Sequence, residues 1–550
     1  QKTFRTFKRG KKSRKRKKNA KGWFDDDCKI KRNILRKLSR NLSKEPFNKQ
    51  RLTSFLKARA DYKKTCRTAE KNFRGKLTNQ LLSVGKQDTK SSWQIISKMN
   101  NWGTEKADLS DNIAPKKWVK YFEELLNEKQ DPRKTETNSN HVPTFNPSLD
   151  GTLTEIELRK ALKKLKSGKS PGPDGILGEC LRVFGRKHEN VLLLILKRIF
   201  DNHIYPDGWT TNYLKPIYKK GSTSDPDNFR GLAIGSGLGK LFSIIMVDRL
   251  ETFIKSKSLI SKNQIGFMKD SRTSDHIFLL QTIIEKTIQR NRKRLFTAFI
   301  DFRKAYDKVD RNILFQKLKS LGINGIFLRN IEAMYKNVSY SIKLKNGHLD
   351  PIKSTLGLKQ GCPLSPMLFN LYIDDINEIF DDQCDPVTVH DIKLNHFLYA
   401  DDDLALLSLS RSGLQKCLDL LFEFSSKKHL TINIEKSKTL IFNKGGKYIK
   451  DCFTVGGKRL EPVQTFCYLG FDVKASGTVQ HALRLLSEKA AKAMRPLNHA
   501  ISRFNIQLFH SYIEPNILYN AENSLILKDK QFGLPTEKII MNEKSVEQRL

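Results

Sequence analysis

The chain has 550 residues, enough for two to four domains with a full-sized core, and this excludes a small stapled scaffold. Lys and Arg number 101 against 58 Asp and Glu, and the formal charge of +43 goes beyond what solubility requires, so a polyanionic partner is expected, most simply a long nucleic acid. A membrane surface is the rival polyanion, but the longest apolar run is only Val191 to Leu196, so no transmembrane helix or signal peptide can be drawn and no membrane partner is expected.

Eight cysteines (Cys28, Cys66, Cys180, Cys362, Cys384, Cys417, Cys452 and Cys467) are scattered without a CxxC pair or zinc-knuckle spacing, which points to a reducing, intracellular setting. The chain opens on Gln1 rather than Met, as a fragment or processed piece would. Residues 1–20 hold eleven Lys or Arg and no acid. Such a segment should be disordered alone, and it reads equally as a nuclear localisation signal, an arm lying on phosphates or a solvated tail. From residue 21 to 130 the pattern is helical and basic, with Ile30, Ile34, Leu35, Leu38 and Leu42 recurring at three to four residue spacing. Residues 131–150, with Pro132, Pro143 and Pro147, read as a linker.

A new unit starts at Thr154, a helix N-cap ahead of the stripe Leu158, Leu162, Leu165. It ends in Ser167-Gly168-Lys169-Ser170-Pro171-Gly172-Pro173-Asp174-Gly175, which composition alone makes a rigid turn with amides and ammonium groups to offer. Leu214 to Lys220 reads as a short edge-like strand, followed by a turn through Pro226 and by Asn228-Phe229-Arg230-Gly231. A hairpin of this kind carries Lys219, Lys220 and Arg230 within reach of a triphosphate, or merely decorates a surface.

Leu295-Phe296-Thr297-Ala298-Phe299-Ile300 is an apolar strand that runs into Asp301, and Asn395 to Leu407 is an apolar hairpin broken at its centre by Asp401, Asp402 and Asp403. A carboxylate survives in such a setting when it is paired, hydrogen-bonded or bound to a metal. Two strands can bring Asp301 to Asp401 and Asp402, a cluster suited to two magnesium ions about 3.5–4 Å apart. The alternative, that each Asp merely opens a turn, stands for Asp301 taken alone. Gln360-Gly361, in Leu358-Lys359-Gln360-Gly361-Cys362-Pro363-Leu364-Ser365-Pro366, offers a side-chain amide and a bare backbone for close approach to a nucleotide.

Taken in order, SPGPDG, NFRG with Leu238-Gly239-Lys240-Leu241, FIDFRKAYDKV, LKQGCPLSP, the YADD box, Leu430-Thr431-Ile432-Asn433-Ile434-Glu435-Lys436-Ser437-Lys438 and Phe466-Cys467-Tyr468-Leu469-Gly470 resemble the reverse transcriptase of non-LTR retrotransposons, from about Leu153 to Gly470. The resemblance implies an α+β right-hand polymerase with a ferredoxin-like antiparallel palm sheet: fingers over 151–297, palm over 298–475 and a thumb, incomplete if the last box is decayed, over 476–550. The basic helical extension then resembles the segment that follows an endonuclease not contained in this sequence. By matched position Asp301, Asp401 and Asp402 are the metal-binding catalytic carboxylates, Lys436 the group that protonates pyrophosphate, and Lys219, Arg230, Tyr306, Gln360 and Gly361 the nucleotide site. Tyr306 is the aromatic gate under the sugar, and Phe466, Tyr468, Leu469 and Gly470 are the primer grip.

The implied activity is RNA-directed DNA polymerisation with two Mg2+ ions, for which Mn2+ can substitute. Its partners are an RNA template, a DNA primer or target 3′ end and deoxynucleoside triphosphates, and its setting is nuclear with cytoplasmic ribonucleoprotein assembly. A decayed, inactive RNA-binding remnant is the alternative; an RNA-dependent RNA polymerase shares the paired carboxylates, but an aromatic at Tyr306 argues against it. Two departures from the family pattern stand out: Asp403, which adds a third carboxylate and is expected to be absorbed as a bulge, and the box Ile517 to Ser524, where Asn520 and Ser524 more often read Gly and Trp.

Overall fold

The computed structural model describes residues 22–83, 91, 94–95, 109–127, 144–269, 271–345, 347–389, 392–399 and 403–494. The basic tail, most of the 131–150 stretch, Asp401, Asp402 and the 517–524 box therefore lie outside the described residues. The chain divides into two compact units, residues 1–107 with 483–522 and residues 108–482 with 523–550.

In the first unit α1 (Asp26–Lys44) and α2 (Lys49–Ser83) pack together, and Asp25 caps α1 by accepting from the Cys28 amide at 3.0 Å. A pair of helices has one seam, so Leu35, Leu38 and Leu42 are half-buried while Ile30 and Ile34 stay exposed.

The second unit opens with α3 (Pro115–Leu126), whose Trp118, Phe122 and Leu126 are buried. Asn146 then caps a short helical turn, Pro147–Asp150, and the buried Asp150 carboxylate accepts from the Asn146 and Phe327 amides, both at 2.7 Å, so the end of the stretch expected to be a linker is built into the core. Thr154 caps α4 (Glu155–Lys164) in a capping box with Glu157, and α5 (Gly178–Lys187) and α6 (Glu189–Asn202) follow. The strands β1 (Thr211–Tyr218) and β2 (Phe229–Ile234) form an antiparallel hairpin, and α7 (Gly237–Lys257) is buried over most of its length. After α8 (Thr273–Ile284) come β3 (Leu295–Ile300), α9 (Arg311–Ser320), α10 (Ile326–Lys336) and β4 (Ser339–Leu344). The remainder is α11 (Ser365–Ile373), β5 (His396–Tyr399), β6 (Asp403–Ser408), α12 (Arg411–Lys427), β7 (Lys438–Phe442), β8 (Phe453–Val455), β9 (Lys458–Pro462), β10 (Thr465–Tyr468) and β11 (Phe471–Lys474); α13 (Gln480–Met494) begins here, and its residues from Leu483 on belong to the first unit.

β1 is not the edge strand expected: it pairs with β2 on one side and in parallel with β4 on the other. The β4 pairing spans only Thr211 to Leu214, so Pro216 sits where no second ladder needs its missing N–H.

The larger sheet runs β8-β9-β7-β3-β6-β5. Its β7-β3-β6-β5 part is antiparallel throughout and, with helices joining β3 to β5 and α12 joining β6 to β7, has the βαββαβ ferredoxin-like connectivity; the α+β fold expected is the one observed. Leu404 and Leu406 face one apolar cluster with Ala298 and Ile300, whereas Ala405 and Leu407 face a second with Phe299, Leu440 and α8. Burial on both faces explains why β3 and β6 read as continuous apolar runs.

Arg311 links this framework to the loop before Leu358. It is 7 % exposed and donates to the carbonyls of Tyr335 (3.1 Å), Ser354 (2.8 Å), Leu356 (2.8 Å) and Gly357 (3.0 Å) and to the Ser354 hydroxyl (2.9 Å). Replacing Arg311 with Ala leaves these acceptors without their donor. The expected loss is about 3 kcal/mol of unfolding free energy, read from the urea midpoint.

Candidate active site

Asp301 follows the last residue of β3, where the sheet's apolar pattern stops. Its backbone is fixed to the turn before β7: the Asp301 amide donates to the Ser437 hydroxyl (3.2 Å) and its carbonyl accepts from the Asn433 amide (2.8 Å). Its carboxylate, 18 % exposed, accepts from Lys436 Nζ at 3.0 and 3.2 Å and from Asn433 Nδ2 at 3.0 Å. The structure thus brings Asp301 and Lys436 together and adds Asn433 and Ser437, two polar residues of the same motif whose part no local pattern reveals.

Ile300 pairs with Leu404, and Asp403 pairs with Tyr399. The ends of β5 and β6 therefore lie at the end of the sheet where Asp301 leaves β3. Residues 400–402, which join them, are outside the described residues, so Asp401 and Asp402 are not placed. The bulge expected at the turn falls on residues 400–402, outside the described residues; from Asp403 to Leu406 the ladder pairs in continuous register with Tyr399 to His396. Among the described residues no group of three His, Cys, Asp or Glu could hold a metal.

A second constellation lies around Asp307. Tyr306 is 7 % exposed, with its ring stacked on Phe369 (centroids 4.8 Å apart, planes at 11°) and its carbonyl accepting from the Leu358 amide at 2.8 Å. The Gln360 side chain donates to Asp307 Oδ1 at 2.8 Å, and the Gln360 carbonyl accepts from the Ala233 amide of β2, also at 2.8 Å. Gly361 has φ +118°, and a Cβ there would come within 2.6 Å of the Ala233 carbonyl oxygen, so only glycine fits. Burial pushes the Asp307 carboxyl up to about 6, against the pull of Lys304, the Gln360 hydrogen bond and Arg230.

Arg230 is exposed on β2 opposite Ile217, and the exposed Lys219 continues the same hairpin, its amide donating to the Asn228 carbonyl at 2.9 Å. The hairpin is fastened by Asp227, which accepts from Lys304 Nζ (2.6 Å), Tyr121 Oη (3.1 Å) and Arg303 (3.3 Å). The β10–β11 hairpin turns through Leu469 and Gly470, both with positive φ (48° and 81°), and Phe466 stacks on Phe299 of β3 at 4.4 Å. Tyr468 is buried beside the same ring, at 5.3 Å.

Residues 217–473 match the family described as reverse transcriptase (RNA-dependent DNA polymerase). Among curated proteins the chain is 24 % identical over 388 residues to the RNA-directed DNA polymerase from mobile element jockey of Drosophila melanogaster, covering 67 % of this chain and 41 % of that protein. It is 28 % identical over 386 residues to the Pol polyprotein from type-1 retrotransposable element R2 of Popillia japonica, covering 68 % and 52 %. The chain thus spans about half the length of these relatives or less. Among solved structures, apo telomerase from Candida tropicalis aligns at 14 % identity and a TM-score of 0.35, over 63 % of this chain and 60 % of that one.

The raised Asp307 carboxyl sets a pH test. Its folded value, about 6, lies above its ordinary 3.8, so the ionised form costs stability above about pH 6, and the cost is relieved as pH falls through the window between the two values. Asp307→Asn keeps an acceptor for Gln360 without the charge. Urea unfolding is expected to find it at least as stable as the wild type at pH 7.5, with the difference narrowing or reversing at pH 4.5.

Proposed function

We propose, for a chain whose residues 217–473 belong to the reverse transcriptase family and whose relatives come from non-LTR retrotransposons, that it is an RNA-directed DNA polymerase extending a DNA 3′ end on an RNA template. The observation that carries this reading is Asp301, held by Lys436 and Asn433 at the end of β3 where the Tyr399–Asp403 hairpin also ends. A partly exposed carboxylate already holding one cation is a fitting ligand for a hard divalent metal, with Asp401 and Asp402 as the remaining oxygen donors. Bound there, two Mg2+ ions would lower the pKa of the attacking hydroxyl and offset charge at phosphorus.

The remaining work falls to the chain. Arg230 and Lys219 grip the triphosphate, Gln360 and Gly361 line the place of the incoming nucleotide, and the Tyr306 ring closes the space where a 2′-hydroxyl would sit. The primer 3′-hydroxyl loses its proton to solvent and its O3′–Pα bond forms as the bond from Pα to the α–β bridging oxygen breaks, releasing pyrophosphate. Lys436 gives a proton to the departing pyrophosphate. The Phe466–Gly470 hairpin holds the primer strand. On this reading the working protein acts in the nucleus, with ribonucleoprotein assembly in the cytoplasm.

Asp301→Asn and Asp401→Asn are expected to bind RNA within twofold of the wild type while primer extension on poly(rA) with oligo(dT) drops at least a hundredfold, since the basic surface is untouched and an amide is a poor magnesium ligand. Extension that survives both changes would remove these carboxylates from the site.

Tyr306→Ala is expected to raise incorporation of rUTP relative to dTTP at least tenfold. Unchanged discrimination would show that another group excludes the 2′-hydroxyl.

A further inference from the structure

Four basic side chains are buried among the described residues, and three are matched. Arg249 donates to Glu157 and to the carbonyls of Leu149, Gly151 and Thr152, Arg311 to the acceptors named above, and Lys428 to Asp375 at 2.5 Å. The fourth is Lys359, 4 % exposed. Its ammonium lies over the rings of Tyr205 (5.2 Å) and Tyr335 (5.4 Å) and has no hydrogen bond or ion pair among the described residues. Leaving a buried ammonium without an anion is costly, and ring faces return only part of what water supplied.

Lys359 lines a cavity of about 300 Å³ beside the contact between Gly361 and Ala233. Gln360 points to Asp307, whereas its neighbour Lys359 lines this space together with Tyr205, over whose ring its ammonium lies. The other charged residues of the lining are Lys166, Lys169 and Lys240, and no carboxylate is among them. Of the two acids nearest in sequence, Asp174 accepts from the Ser236 hydroxyl (2.7 Å) and the Gly237 amide (3.0 Å), and Glu179 accepts from the Gly168 amide through Oε1 while its Oε2 has no hydrogen-bond partner among the described residues. The start of α7 is therefore capped from within, and the affinity of the cavity for an anion rests on the lysines. Tyr205 and Trp209 add apolar wall, against which a sugar or base can lie. Burial holds Lys359 down to about 8, which a bound anion would reverse.

We infer that this cavity is a phosphate-binding subsite in which Lys359 pairs with one phosphate group, separate from the triphosphate grip of Lys219 and Arg230. The inference rests on the polymerase reading for its setting, since a strand running to the Gln360–Gly361 backbone brings a backbone phosphate past this cavity. A free nucleotide or pyrophosphate carries the same group.

The test compares the full wild-type chain with Lys359→Met and Lys359→Arg by fluorescence anisotropy, without metal or nucleotide. Probes are a primer–template with a single-stranded 5′ template extension and the same duplex made blunt; pyrophosphate is tested separately by thermal shift. Lys359→Met, which removes the charge and keeps the volume, is expected to melt no lower than the wild type, to bind the extended template about tenfold more weakly and to bind the blunt duplex within twofold. Lys359→Arg keeps most of the affinity. A pyrophosphate-induced shift lost in Lys359→Met, with unchanged template binding, assigns the subsite to a free ligand. Should Lys359→Met fail to fold, methylphosphonates placed one at a time along the extension of the template, read with the wild-type chain, decide: one linkage should reproduce the tenfold loss. If no linkage matters and pyrophosphate gives no shift, or if a folded Lys359→Met binds every probe as the wild type does, the inference is overturned. Because no nucleotide is added, a chain that passes this test yet extends no primer contradicts the polymerase reading and leaves the subsite standing.

Discussion

Asp301 stands where β3 leaves a core that is apolar on both faces, and three neighbours hold it in place. Lys436 and Asn433 satisfy the carboxylate, while Ser437 and the Asn433 backbone fix the main chain that presents it. All three neighbours come from the turn that leads into β7, and β7 is hydrogen-bonded to β3 itself. The sheet that positions the carboxylate thus also supplies its partners, so the site is as rigid as the β3–β7 pairing.

The same holds on the side proposed to take the nucleotide. Asp227 ties the β1–β2 hairpin to Arg303 and Lys304, two and three residues after Asp301, and the Ala233 amide ties the other end of β2 to Gln360. Gln360 in turn is held by Asp307, on the segment that begins at Asp301. The hairpin, the Gln360–Gly361 backbone and the Asp301 segment form a closed ring of contacts. A displacement of one element is transmitted to the others, and discrimination against a 2′-hydroxyl would depend on the ring as a whole as well as on Tyr306.

Much of this was legible in the sequence because its strongest signals are local. The N-cap at Thr154, the apolar strand ending in Asp301 and the glycine after Gln360 each state a physical requirement within a few residues. What the sequence hid is set by partners far along the chain. β1 has the length and Pro of an edge strand, and only its pairing with β4, more than a hundred residues on, makes it central. Asn433 and Asp307 are ordinary polar residues until the fold brings them to Asp301 and Gln360. The pairing of Asp403 with Tyr399 and the burial of both faces of β6 likewise depend on strands that the sequence does not show side by side.

The central claim is that Asp301, Asp401 and Asp402 hold divalent metal. The most direct measurement is an Mn2+ titration by electron paramagnetic resonance, on the chain bound to a dideoxy-terminated primer on RNA with the next deoxynucleotide present. The account predicts two tightly held ions per chain, with at least one lost in Asp301→Asn and in Asp401→Asn at unchanged template binding. Mn2+ occupancy that is the same in both variants as in the wild type would contradict it.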